Sequence, residues 1–322
     1  MLQSYTLVNE LYPWFYPVLV FCFGACVGSF LNVCIYRIPL EQSVVKPRSH
    51  CMKCGKPIAW YDNIPILTWF ILRGKARCCG APFSVRYAMV ELFTGLLFLS
   101  VWLTYAPLPA LALMVFLSFM VAGSFIDLDH MIIPDRFTVG GFVVGVALSA
   151  LVPALHGYVS PLDPYFTRFF QGGITAVLGG FIGSALVLWI MLLAEIILRK
   201  EAMGAGDVKL MGAIGAFCGW KGAVFALFGG SFAGVFIILP LVLLLRRKKP
   251  APVADKSAEA SVGVAEAAED ASGDAVPADE DYDPTHIPFG PSLALGAFLY
   301  LVFFRDTVDL YFDTFKLLFF GN

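Results

Sequence analysis

The sequence predicts an all-α polytopic membrane protein of about eight transmembrane helices, with a small cytoplasmic Cys-containing loop domain of the zinc type. Composition, segment length and charge placement carry that prediction. Of 322 residues, 59% are hydrophobic and 14% charged, whereas a soluble domain carries about 25% charged residues. Mean hydropathy is +0.78. Single soluble cores stop growing at about 250–300 residues, so one core cannot bury this much apolar surface. The apolar stretches approach the roughly 20 residues of a spanning helix and are too long for barrel strands. A cytosolic enzyme and a disordered chain are thereby excluded. A net charge of −2 leaves no basic footprint for nucleic acid.

Taken in order, residues 1–12 carry Glu10 as their only charge and lack the Lys or Arg of a secretory n-region. The apolar run after them is longer than an h-region and has no clear small-residue cleavage site, so it reads as a retained first span. Apolar segments fall at 14–38, 87–105, 108–126, 137–158, 172–198, 210–220, 223–245 and 288–304. The sixth is short and Gly-rich and runs into its neighbouring loops.

Charge sets the orientation. Between the first two spans stand Lys46, Arg48, Lys53, Lys56, Arg73, Lys75, Arg77 and Arg86 against Glu41 and Asp62. The positive-inside rule places this loop in the cytoplasm and the N-terminus outside. Alternation then puts Arg199, Lys200 and the basic run 246–249 inside, the poorly basic loop 159–171 outside, and segments 127–136 and 199–209 on the cytoplasmic side. The chain divides into a first helix at 1–38, a cytoplasmic zinc-type loop at 39–86, a transmembrane core at 87–248, an acidic linker at 249–286, and a last helix with an outside tail at 287–322. The linker has almost no large apolar residues, cannot offset its ordering entropy, and is expected to be disordered. No internal repeat is evident.

Cys22, Cys26, Cys34 and Cys218 lie in apolar spans and read as small buried hydrophobes. Cys51, Cys54, Cys78 and Cys79 lie in the cytoplasmic loop, where disulfides are disfavoured. Cys51-Met52-Lys53-Cys54-Gly55 is a zinc-knuckle half-site, with Gly55 relaxing the turn. A second half near Cys79-Gly80 would close a four-thiolate site and staple a loop too small for its own core. A regular second half would carry a cysteine where Ala76 stands, so Cys78 and Cys79 supply adjacent thiols instead. His50 is an alternative donor.

Acid beside apolar segments is the most informative feature, because an ionisable group at membrane depth is costly. Asp127 follows the third span directly, and Asp207 opens the sixth within Gly204-Ala205-Gly206-Asp207-Val208-Lys209. Both fall on one face by the topology above. Two carboxylates in a partly dry site share a proton, the arrangement aspartic proteases use to activate water and polarise a carbonyl. Gly204 and Gly206 would let a substrate backbone approach and allow unusual dihedrals. Asp135, after Pro134, reads as a helix cap. Asp129 is either a solvated charge or an alternative first acid, and Lys209 pairs with a carboxylate or a lipid phosphate. Glu91 is balanced between a site role and an interface charge. Asp306, Asp309 and Asp313 read as a solvated or interfacial face.

These residues resemble the prepilin peptidases, bifunctional membrane aspartic proteases that process type IV prepilins and type II secretion pseudopilins. The resemblance runs in order through 28–39, 48–51 with Cys54, 61–65, 80–87, 90–95, the two Asp motifs and Pro288-Phe289-Gly290-Pro291. It implies catalytic roles for Asp127 and Asp207, eight spans, a zinc-type loop, and the bacterial cytoplasmic (inner) membrane as location. It also implies N-methylation of the new N-terminus from S-adenosylmethionine, associated with the 39–86 loop, although no Gly-rich loop after a strand cradles that cofactor. The expected partners are prepilin or pseudopilin substrates and the lipid bilayer. A proton-coupled transporter using Asp127 and Asp207 as a relay fits less well, since relay acids lie near the midplane of spans. A related Gly-x-Gly-Asp intramembrane protease acting on other membrane proteins is disfavoured by the cysteine loop and the first-span motif.

Overall fold

The computed structural model describes residues 8–51, 53–199, 204–238, 240 and 288–320. The acidic linker at 249–286 lies outside the described residues. The chain is helical, in the order α1 (Phe15–Arg37), α2 (Leu67–Ile71), α3 (Arg86–Thr104), α4 (Pro107–His130), α5 (Asp135–Leu151), α6 (Tyr165–Leu198), α7 (Ala205–Ala233), α8 (Gly290–Leu299) and α9 (Arg305–Phe320). The only β pairings among the described residues are two isolated bridges in the cysteine module between α1 and α3.

Among the described residues, α1, α3, α4, α6 and the run from α7 to Phe236 are long and apolar enough to cross a membrane. They match the first, second, third, fifth and joined sixth and seventh apolar segments. The fourth segment ends early: α5 stops at Leu151 after 17 residues, a rise of about 26 Å, because Pro153 starts a short 3-10 turn. The eighth is α8, widened into a π-helix at Tyr300–Phe304 before α9. That widened turn frees a carbonyl, and the Tyr105 hydroxyl donates to the Leu301 oxygen at 2.6 Å.

The sixth and seventh segments meet at a sharp reversal of the chain. Gly219, at φ 70° and ψ 177°, interrupts α7. A methyl group at Gly183 would lie 2.7 Å from the Met211 oxygen and 3.2 Å from Ala223 Cβ. In a straight helix those two residues would stand about 18 Å apart, so the two arms of α7 fold back on each other. Glycine makes the reversal possible, because its missing Cβ admits the left-handed φ.

Small residues also set the packing of α6 on α7. Gly179 lies against the Gly215 backbone, and Gly212 lies 2.7 Å from Ser184 Oγ when given a methyl group. Lipid tails supply no hydrophobic drive between helices, so such close backbone approach carries the association. Phe116 and Phe217, both fully buried, pack with ring centroids 4.8 Å apart and planes tilted by 35°. Cys34 and Cys218 are buried as expected, but Cys22 and Cys26 face out of the bundle. Inside a membrane an apolar side chain needs no protein cover, so apolar position alone does not predict burial. Asp309 and Asp313 are not simply solvated; both pair with Lys221, at 3.4 and 2.8 Å.

Candidate active site

Asp127 lies in the last turn of α4, which stops where Met131 turns left-handed at φ 54° and donates its N–H to the Asp127 carbonyl. Asp207 lies in the first turn of α7, its N–H donating to the Gly204 carbonyl at 3.1 Å. Although 80 positions separate them, both are buried, 5% and 8% exposed. Ile133 touches the approaches to both. A methyl group at Gly290 would meet Ile133 at 2.9 Å and Asp127 Oδ2 at 2.7 Å, and one at Gly206 would meet Ile133 at 3.6 Å. The Gly290 N–H donates to Asp127 Oδ2 at 3.1 Å. The two carboxyl groups lie within electrostatic reach of each other. Within such reach, the charge on one carboxyl disfavours ionisation of the other.

The supporting residues fall into place with some changes. Gly204 has ordinary extended dihedrals (φ −77°, ψ 144°) and Gly206 is helical, so neither needs an unusual conformation. Gly204 and Ala205 are exposed, and methyl groups at Gly204 and Gly206 would find nothing closer than 3.6 Å. The loop leaves the way to Asp207 open rather than bending it. Lys209 Nζ donates to Asp135 Oδ1 at 2.7 Å. Asp135 is therefore an ion-pair partner in the first turn of α5, not a side-chain cap; Pro134 occupies the cap position. Asp129 accepts two hydrogen bonds from Arg86, at 2.8 and 2.6 Å. Both of these pairs are partly exposed, so each contributes at most about 1 kcal/mol to stability. Glu91 Oε2 accepts the Ile66 N–H at 2.7 Å. Ile66 sits at φ 65° in a tight turn closed by Leu67 N–H on the Pro65 carbonyl, a strained conformation for a β-branched residue. Glu91 thus secures the cysteine module to α3.

In that module Cys51, Cys54, Cys78 and Cys79 bring their sulfurs within 4.8 Å of one another. Sγ–Sγ distances of 3.6 Å (Cys51–Cys79), 3.4 Å (Cys54–Cys78) and 3.8 Å (Cys78–Cys79) match the roughly 3.8 Å edge of a tetrahedral zinc–thiolate site with 2.3 Å bonds. Two knuckles build it, and they are a repeat. Gly55 N–H donates to the Cys51 carbonyl and Gly80 N–H to the Ala76 carbonyl, each at 2.8 Å. His50 bridges to Pro57, and Lys75 to Pro82. Gly55 and Gly80 have φ of 68° and 67°. Ala76 therefore stands where Cys51 stands in the first knuckle, and Cys78 reaches in from two residues on as the fourth thiol. The signal was present as Cys-Gly-x-Pro at 54–57 and again at 79–82, but the missing cysteine hid it. Backbone N–H groups of Cys54 and Lys53 pull the Cys51 thiol down to about 6. The hydrogen bond to Cys54 pushes Cys78 up to about 12. His50 Nδ1 faces the Arg48 carbonyl instead of the sulfurs.

An open groove of about 460 Å³ between α5 and α6, lined by residues such as Val146, Phe169 and Ile174, is wholly apolar and offers nothing to a charged methyl donor. Gly290 and Arg86 are the site residues the sequence did not single out by role. Both stand in quoted motifs, but their partners are remote in the chain.

Comparison with known proteins agrees with this geometry. Residues 22–105 match the Bacterial Peptidase A24 N-terminal domain, and residues 114–239 match the Type IV leader peptidase family. A Myxococcus xanthus protein named "Prepilin leader peptidase/N-methyltransferase" is 39% identical over 240 residues, covering 73% of this chain and 66% of its own length. An Aeromonas hydrophila protein of the same name is 37% identical over 267 residues, covering 75% of this chain and 86% of its own. An Escherichia coli "Type 4 prepilin-like proteins leader peptide-processing enzyme" is 39% identical over 231 residues, covering 66% and 80%. No solved structure matches the chain. With both parts of the chain matched by these models and with relatives of 37–39% identity, the chain belongs to the type IV leader peptidase family.

Proposed function

We propose that this chain is a membrane aspartic endopeptidase that removes the leader of type IV prepilins or type II secretion pseudopilins and N-methylates the new N-terminus. The burial of Asp127, which accepts the Gly290 N–H, within electrostatic reach of Asp207, at the end of the bundle that carries the cysteine module, supports the reading most directly. The substrate class comes from the relatives' names. Such substrates carry a short basic leader before an apolar helix, so the scissile bond meets the enzyme where helix and cytoplasm join. The basic residues of the module argue that this end faces the cytoplasm of a bacterial inner-membrane protein.

The pair works as one acid and one base. The ionised carboxyl takes a proton from water, whose oxygen attacks the scissile carbonyl carbon. The protonated carboxyl hydrogen-bonds the carbonyl oxygen as charge develops there. As the C–N bond breaks, the pair returns a proton to the leaving amine. Cys51, Cys54, Cys78 and Cys79 would hold a zinc ion, which cross-links the two knuckles when bound. S-adenosylmethionine would supply the methyl group.

Mass spectrometry of a prepilin incubated with the purified full-length protein and S-adenosylmethionine tests the proposal. The expected product has lost its leader and gained a methyl group on the new N-terminal amine. An uncut substrate rejects the peptidase reading, and a cut but unmethylated one rejects the methyltransferase reading.

A further inference from the structure

Asp127 lies in the last turn of α4, where the final carbonyls have no intrahelical partners and the helix frays most readily. Phe125 and Asp129 stand two residues to either side of it. Residues two apart on a helix point about 200° apart, whereas residues four apart share a face. Phe125 and Asp129 therefore lie together on the face opposite Asp127. Arg86 occupies that opposite face. Its guanidinium donates from Nη1 to Asp129 Oδ1 at 2.8 Å and from Nη2 to Oδ2 at 2.6 Å. The same group lies over the Phe125 ring at 5.2 Å from its centroid. Arg86 is also the first residue of α3, where the cysteine module ends. One planar side chain thus grips the back of the turn whose front presents Asp127 to Gly290 and Asp207.

We infer that Arg86, acting through Asp129 and Phe125, is a positioning residue that holds the Asp127 turn in its reactive placement and ties it to the cysteine module. The inference rests on the peptidase reading for its kinetic readout, and on the geometry alone for its structural one. A planar fork is needed because two parallel hydrogen bonds and a ring contact fix orientation, which a point charge does not. Asp129 serves here as an anchor for Arg86 and not as an alternative acid.

The test uses full-length Arg86→Ala, Arg86→Lys, Asp129→Asn and the exchanged pair Arg86→Asp/Asp129→Arg, with Asp127→Asn as reference. Cleavage of a prepilin is followed together with amide hydrogen exchange across 125–131. Misplacing a reacting group by about 1 Å costs on the order of 100-fold, so Arg86→Ala should lower kcat about 10–100-fold with KM changed less than about two-fold. Arg86→Lys should recover part of that loss and the exchanged pair most of it. Exchange at 125–131 should accelerate in Arg86→Ala while the middle of α4 stays protected. Wild-type kcat in Arg86→Ala, or slow cleavage with unchanged exchange at 125–131, would overturn the inference. If Arg86→Ala fails to insert, Asp129→Asn, which keeps the side chain's shape, decides by the same two readouts. Failure of the wild type to cleave rejects the peptidase reading instead, and cleavage by Asp127→Asn removes Asp127 from the catalytic pair; in either case the exchange measurement still judges the clamp.

Discussion

Asp127 sits in the last turn of α4 and Asp207 in the first turn of α7, and the polarity of a helix makes those places unequal. A helix start presents free N–H groups and partial positive charge, which suit a carboxylate; a helix end presents free carbonyls, which do not. Asp207 stands at such a start, in the first turn of its own helix. Asp127 borrows one, because Gly290, whose N–H it accepts, is the first residue of α8. Each turn also has a charged residue two positions on that pairs with the first residue of a neighbouring helix: Asp129 with Arg86 of α3, and Lys209 with Asp135 of α5. The first pair is bidentate and backed by a ring; the second is a single contact with Asp135 65% exposed. The Asp127 side therefore depends on tertiary contacts, and the Asp207 side on local helix geometry.

The largest test removes the chemistry from both sides. Asp127→Asn and Asp207→Asn should each abolish prepilin cleavage, a loss on the order of 1,000-fold or more, while the protein still inserts. Retained cleavage by either variant would remove that residue from the pair. The two glycines come next, because they separate the sides. A methyl group at Gly290 would press Asp127 Oδ2 at 2.7 Å, whereas one at Gly206 has 3.6 Å to its nearest neighbour. Gly290→Ala should cost on the order of 10–100-fold in kcat and Gly206→Ala less than about three-fold. Equal losses would show that the asymmetry has no bearing on the reaction.

Smaller still is Lys209→Met. It breaks an exposed pair, so cleavage should fall no more than about two- to five-fold and stability by less than about 1 kcal/mol, read from thermal unfolding in detergent. A loss as deep as that expected for Arg86→Ala would erase the contrast between the two turns. The last variant asks nothing of the carboxylates. Ala76→Cys combined with Cys78→Ser moves the fourth thiol to the position that Cys51 holds in the first knuckle. It should leave both metal content and cleavage as in the wild type. Cys51→Ser or Cys54→Ser should lose the metal, and a metal-free wild-type protein would end the zinc assignment.

Much of this site was legible in the sequence because its components are local. Acid next to an apolar run, a Gly-x-Gly-Asp stretch, and Cys-x-x-Cys before Gly can each be read within a few residues. Alternation of basic loops puts both acids on one face, and the fold brings them to one end of the bundle. What escaped is what requires a second part of the chain. Asp135 looked like a cap because its sequence neighbours suit one, yet Lys209, 74 positions away, takes its carboxylate. Glu91 gave no sign of Ile66. The knuckle repeat was written at 54–57 and 79–82, but only its hydrogen bonds reveal that Ala76 stands in a cysteine's place.

Hydrophobic segment length, loop charge and acid placement determined a helical membrane protein with two acids on one face, since each follows from solvation cost along the chain. Tertiary structure alone decided that α7 doubles back at Gly219, that α8 lends Asp127 its N–H, and that Arg86 holds the turn behind it. Those contacts join residues whose separation in sequence carries no record of their distance in space.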